Sequence, residues 1–205
     1  MIDYMSMILV GYLMGSIPTG LIIGWIFRRV DVRTYGSGKT GMTNVLRTAG
    51  LPAASLVLFL DMAKAITAVV IARIILDSPG VEAATAVFTL IGHIWSVFIK
   101  FGGGRGTAPG WGALIILSPI AGVVATVVGL FLVWTTRYVS IGSLVACCLG
   151  CVTLIILAIF GYVPSEYILY GMVGGPLVVI KHIDNIKRLI KGTERKLGRP
   201  ADPIS

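Results

Sequence analysis

Four short segments of this chain hold residues able to grip a phosphate. The first runs from Tyr35 to Arg47. Gly36, Gly38 and Gly41 are spaced so that backbone N–H groups can converge on an anion. Ser37, Thr40, Thr43 and Asn44 add hydroxyl and amide donors, while Lys39 and Arg47 add charge. Gly38-Lys39-Thr40 looks like the end of a P-loop, but Val32 stands where the first P-loop glycine belongs and no strand is expected before it. A plain turn would explain the glycines but not this density of donors. The second segment pairs Gly92-His93 with Gly102, Gly103, Gly104, Arg105 and Gly106. It predicts an anion cradle just ahead of a new helix, whose positive dipole end would assist. A flexible hinge is the competing use. His93 is expected near a helix centre, as a hydrogen-bonded core residue or a functional one.

The third segment, Arg137 to Ser143, places Ser140 and Ser143 one helical turn apart, a weak signal because serines commonly cap helices. The fourth holds His182 and Asn185 on a shared face, followed by Gly192-Thr193-Glu194. Lys187 to Lys196 reads as a short basic amphipathic helix suited to an anionic leaflet. Some chemistry is missing. Neither histidine is followed by an acid in the His-x4-Asp manner, there is no Gly-x-Ser-x-Gly elbow, and no carboxylate cluster suggests a metal. An enzyme built on these residues depends on positioning and anion stabilisation rather than on a protein nucleophile.

The elements that position these segments are apolar. Hydrophobic residues make up 56% of the 205, charged residues 13%, and mean hydropathy is +0.93. Such a composition is too apolar for a soluble domain. Crossing a bilayer takes about 20 apolar residues, and candidate spans are 4–27, 51–76, 82–99, 109–118, 120–136, 141–160 and 166–181. The fourth is short, and Ser118-Pro119 separates it from the fifth. The expectation is an all-α integral membrane protein of seven helices forming one domain over 1–205. Of the 17 Lys and Arg residues, all but Lys64 and Arg73 fall in the four polar segments or the stretches flanking them. Seven crossings gather those segments on one face, opposite Asp3, Asp77, Glu82 and Glu166. The positive-inside rule makes the basic face cytoplasmic and the N-terminus external. A cleavable signal peptide is not expected, since the first span lacks a basic leader.

Asp61 and Lys64 lie inside the second span at i, i+3 and are expected to pair, because an unpaired charge there costs about 2.5–3.5 kcal/mol. Cys147, Cys148 and Cys151 read as packing residues. Gly11/Gly15, Gly20/Gly24 and Gly171/Gly175 have GxxxG spacing, read as close packing within a monomer. Nucleic acid is a poor partner for basic residues tied to membrane-proximal loops.

At these segments the chain resembles the bacterial acyl-phosphate:glycerol-3-phosphate acyltransferases of the PlsY type. Gly15-Ser-Ile-Pro18, the loop from Gly36 to Arg47, Asp61-x-x-Lys64, Gly92 to Gly106, Tyr138 to Ser143, and His182 to Glu194 follow that family's motifs in order. The resemblance implies seven helices, an external N-terminus and a cytoplasmic site in a bacterial plasma membrane. It implies transfer of an acyl group from acyl phosphate to the sn-1 hydroxyl of glycerol 3-phosphate, giving lysophosphatidic acid and phosphate. No cofactor or metal is implied. The two substrates and membrane lipids are the expected partners. Ser37, Arg47, Arg105, His182 and Asn185 would be catalytic. Gly36, Gly38, Lys39, Thr43, Asn44, Gly103, Gly104, Gly106, Ser140 and Ser143 would bind substrate.

The sequence departs from the family pattern at three places. Lys39 replaces an Asn, Gly102 and Arg105 replace two Lys residues, and Pro109 stands where a small polar residue is usual. Summed charge is kept, but Arg offers a planar fork where Lys offers a point charge. The mechanism expected is direct transfer, with Arg47 holding glycerol 3-phosphate, Arg105 holding acyl phosphate, and a phosphate oxygen taking the hydroxyl proton. His182 as base is the competing assignment. Competing functions are a small organophosphate transporter, a lipid-binding membrane protein, or a divergent paralogue with a changed acceptor.

Overall fold

The computed structural model describes residues 2–199. Residues 1 and 200–205 of the domain expected over 1–205, and the side chain of Asp3, lie outside the described residues. The described residues form helices α1 (Ile2–Ser16), α2 (Thr19–Arg28), α3 (Met42–Ala49), α4 (Leu51–Leu76), α5 (Pro79–Ile94), α6 (Thr107–Leu117), α7 (Pro119–Thr136), α8 (Val139–Ile159), α9 (Ile168–Lys181) and α10 (Ile183–Ile190). Five stretches are long and apolar enough to cross a membrane: Tyr4–Arg28, Leu51–Leu76, Pro79–Ile99, Pro119–Thr136 and Val139–Ile159. Helices α6 and α9, with 11 and 14 residues, are shorter.

The first span is broken. Pro18 has no N–H and crowds the preceding turn, so α1 stops and α2 restarts at a new angle. Freed carbonyls in hydrocarbon need donors. The Ser16 carbonyl accepts from Ser96 Oγ, and the Ile17 carbonyl accepts from Lys64 Nζ at 3.1 Å.

Small residues let the helices approach closely. Gly11 and Gly15 on α1 face Thr85 and Thr89 on α5, where a Cβ at Gly15 would overlap the Thr89 carbonyl. Gly92 faces the Tyr12 carbonyl across the same crossing. Gly20 and Gly24 meet Thr40 and Val32, and Gly171 and Gly175 meet Ile155 and Cys151. All three GxxxG pairs thus face neighbours within the chain. Helices α7 and α8 pair along their length, and α6 packs on α4 and α7. The main core, including Ala65, Val69, Ala86, Leu114, Ala121 and Leu154, lies between α4, α5, α6, α7 and α8. At the end away from the basic loops, Arg73 pairs with Glu82 at 2.7 Å and also donates to the Ile116 carbonyl at 3.2 Å.

Three expectations need correction. Helix α5 ends at Ile94 rather than Ile99, because the chain folds back: Ser96 N donates to the Gly102 carbonyl and Phe101 N to the Ser96 carbonyl. His93 therefore occupies the last turn, not a helix centre. The basic tail helix is Ile183–Ile190 rather than Lys187–Lys196. Gly192, at φ 68°, stops it with paired bonds from Thr193 N to the Arg188 carbonyl and Gly192 N to the Leu189 carbonyl.

Replacing Gly15 with Val should force α1 off α5. Overpacking typically costs about 1–3 kcal/mol, so the thermal midpoint in detergent should fall by several degrees. A matched change at Gly41, where a Cβ meets nothing within 4 Å, should shift it much less.

Candidate active site

The first loop is organised by one amide. Asn44, buried in the first turn of α3, donates from Nδ2 to the carbonyls of Val32 (2.7 Å), Lys39 (2.9 Å) and Tyr35 (3.1 Å), and its Oδ1 accepts from Ser37 N at 3.1 Å. These bonds make Asn44 the brace that holds the loop's shape. Gly36 and Gly38 supply left-handed turns at φ 59° and 67°.

The second loop is packed onto the end of α5. Gly104 N donates to the His93 carbonyl at 3.2 Å. A Cβ at Gly103 would overlap the His93 and Ile94 carbonyls, and one at Gly104 the His93 ring. The Gly104 N–H is thus turned toward α5. Gly106, at φ 87°, turns the chain into α6.

A cleft of about 400 Å³ brings the segments together. Ser37, Lys39, Thr43, Asn44, Arg47, Arg105, Gly106, Ser140, Ser143, His182 and Asn185 line it. Gly36, Gly38, Gly103 and Gly104 do not, and they act from behind by shaping the backbone. Below this polar end the wall turns apolar, with Leu58, Trp111, Leu114, Ala125, Val133 and Ala146. Leu51 and Ser55 on α4 and Leu130 on α7 line the cleft and are exposed. The groove thus opens sideways between those helices, with α6 as its back wall.

Charge in the cleft is unbalanced. Among the described residues, Lys39, Arg47 and Arg105 have no carboxylate partner. Arg47 reaches only the Arg195 carbonyl, at 3.3 Å. Burial, followed by the nearby Arg188, pushes the Arg105 guanidinium down to about 10, and its Nε is buried without a partner. Burial likewise lowers Arg47, against the pull of Glu194. Both remain charged at neutral pH, so an anion is the missing complement.

Glu194 is the residue that sequence reasoning left out of the site. It lines the cleft, accepts from Asn185 Nδ2 and from Arg188 Nε, both at 2.7 Å, and its side chain is 5% exposed. Burial would raise its carboxyl, but those two donors hold it below the ordinary range. Its place at the close of the His182–Glu194 motif was the available signal. Among the described residues the buried Asn185 Oδ1 has no protein partner; it lies at the same end of the cleft as Ser140 Oγ, which sits close enough to Glu194 to help lower its carboxyl.

His182 donates from Nδ1 to the Val178 carbonyl at 2.8 Å, which leaves Nε2 as an acceptor. Burial pulls its pKa down to about 4. Asp61 and His93 form part of the cleft floor.

A family model described as glycerol-3-phosphate acyltransferase matches residues 5–192. The chain belongs to the glycerol-3-phosphate acyltransferase family. Relatives of this acyltransferase include glycerol-3-phosphate acyltransferase 3 of Dehalococcoides mccartyi, 39% identical over 93% of this chain and 94% of that one. The glycerol-3-phosphate acyltransferase of Rubrobacter xylanophilus is also 39% identical, over 94% of each. Among solved structures, PlsY, an integral membrane glycerol 3-phosphate acyltransferase, superposes with a TM-score of 0.86 at 33% identity in its glycerol 3-phosphate form, covering 95% of this chain and 96% of that one. Its lysophosphatidic acid form gives a TM-score of 0.84 at the same identity, covering 95% of each.

Two outcomes follow for this acyltransferase. Asn44→Asp sets a carboxylate oxygen against three carbonyls, and unpaired buried groups cost about 1–3 kcal/mol each. Loop order and turnover should both collapse, while circular dichroism still reports helices. For His182 the folded pKa is depressed, so its stability contribution is full above the unfolded value near 6.5 and is lost as pH falls through about 4. The wild-type melting midpoint should fall more steeply across that window than that of His182→Gln.

Proposed function

We infer that the chain acylates glycerol 3-phosphate to lysophosphatidic acid, with acyl phosphate as donor. The observation that carries this reading is the set of three cations without acidic partners at the head of an apolar groove. Two phosphate groups would satisfy the cations, and an acyl tail would fill the groove below. Arg47 and the first loop would take the phosphate of glycerol 3-phosphate, and Arg105 with Gly106 and the start of α6 that of the donor. Ser37, Lys39, Thr43, Ser140, Ser143 and Asn185 would supply further donors around them.

The sn-1 oxygen would attack the acyl carbon, the acyl–phosphate bond would break, and the hydroxyl proton would pass to a phosphate oxygen. The low pKa of His182 supports this substrate-assisted route over a histidine base, because a group of pKa about 4 holds a proton poorly at neutral pH. Nε2 of His182 could instead accept a hydrogen bond from the glycerol hydroxyl and orient it.

We further propose seven crossings in one membrane-embedded unit, with the N-terminus external and the cleft facing the cytoplasm of a bacterial plasma membrane. The course of α6 supports the count. It begins at the cleft beside Arg105 and ends at Leu117, where the carbonyl of Ile116 in its last turn is tied to Arg73 at the opposite end. A monomer fits the inward-facing glycine pairs. A transporter is less favoured, because the unpartnered cations gather at one end of the bundle and not at mid-depth.

Purified protein given palmitoyl phosphate and glycerol 3-phosphate should release phosphate and lysophosphatidic acid in equal amounts. Removing a buried charge-stabilising group costs about 10²–10³ in rate, so Arg105→Ala should lose that much, with Arg105→Lys keeping part of it. Phosphate release without lysophosphatidic acid would point to a different acceptor.

A further inference from the structure

We propose that Asp61, Lys64 and His93 are positioning residues that set the place of Arg105 from beneath. The three are buried at the junction of α4, α5 and the α1–α2 break. Lys64 Nζ lies 2.8 Å from Asp61 Oδ1 and 2.9 Å from His93 Nδ1, and Thr19 Oγ1 donates to Asp61 Oδ1 at 2.6 Å. Charges at this depth are expensive. Asp61 and Lys64 already balance each other's charge. His93 Nδ1 meets Lys64 and the same Asp61 oxygen, while Oδ2 stays without a partner among the described residues, so the inclusion of His93 calls for a separate reason.

The second loop supplies it. Arg105 has no side-chain partner, so its placement comes from its backbone. That backbone rests on His93 twice: the His93 carbonyl takes the Gly104 N–H, and the Nε2 edge of the imidazole lies against Gly104, where no Cβ would fit. Lys64 fixes the ring from the other side through Nδ1, and Asp61 fixes Lys64. A rotation of the ring therefore moves the residue next to Arg105. The glycines at 103 and 104 let the loop sit this close to α5, which is a different use from wrapping an anion.

The proposal rests on the acyltransferase reading for its kinetic arm only. His93→Asn keeps a polar group near Lys64 while removing the ring beneath Gly104, and His93→Ala is the harsher companion. Hydrogen exchange followed by mass spectrometry should show amides 102–106 exchanging about tenfold faster in His93→Asn, with 36–44 unchanged. Misplacement of about 1 Å can cost about 10²-fold, so kcat/KM should fall by 10- to 100-fold. Adding Arg105→Ala should then cost no more than Arg105→Ala alone, within about threefold, because both changes remove one contribution. Unchanged exchange at 102–106, or losses that multiply in the double variant, overturns the proposal. If the wild type makes no lysophosphatidic acid while the loop still loosens in His93→Asn, the functional reading falls and the positioning role stands.

Discussion

Holding cations together without acids to quench them is the constraint on which the rest of this structure depends. Arg47 and Arg105 give up hydration in one cleft, and burial lowers the tendency of both to stay charged. Neutralising them with carboxylates would be the easy solution and would leave nothing for a substrate phosphate. The chain holds them instead with backbone and neutral groups. Asn44 braces the first loop, the end of α5 braces the second, and the Arg195 carbonyl receives Arg47. Glu194, the acid that lines the polar end among the described residues, is occupied by Arg188 and Asn185. Arg188 thus acts as an electrical buffer, keeping a negative charge near the site without letting it take the ligand's place.

The bilayer imposes a second demand, that every backbone polar group inside it finds a partner. The break at Pro18 would leave Ser16 and Ile17 carbonyls bare, and residues from α4 and the α5–α6 turn fill both. A local fault in the first span thereby becomes a joint that ties three segments near the floor of the cleft. The apolar groove obeys the same logic in reverse. Its walls carry few polar groups, so it can stay open toward lipid between α4 and α7 without stranding donors or acceptors.

The polar segments could be read from the sequence because membrane helices leave few places for Lys, Arg and Gly. Arg47, Arg105, His182 and Asn185, spread over 139 positions, meet in one cleft. What stayed hidden depended on distance in sequence. Nothing local tells that the Asn44 amide faces three carbonyls, or that Gly104 is small for the sake of a histidine eleven residues earlier. Glu194 shows in the sequence only as the close of the His182–Glu194 motif, and nothing local tells that Arg188 and Asn185 converge on it. Helix ends were also misjudged where the stop came from tertiary contacts, as at Ile94, or from Gly192 in a tail whose charge suggested a longer helix. The short α6 was legible from Ser118-Pro119, since proline fits the first turn of α7 and ends what precedes it.

The strap that follows α10 has a consequence for the order of folding. Arg47 leans on the Arg195 carbonyl, Glu194 and Leu197 line the cleft, and Leu197 N is bonded to the Arg137 carbonyl. The wall of the site nearest Arg47 therefore comes from residues 148 positions later in the chain. A fold in which the early helices have formed but this strap is not yet seated leaves Arg47 open and hydrated. Desolvation of that guanidinium is thus coupled to docking of the strap, so the anion site is completed by a long-range contact rather than by either glycine loop alone.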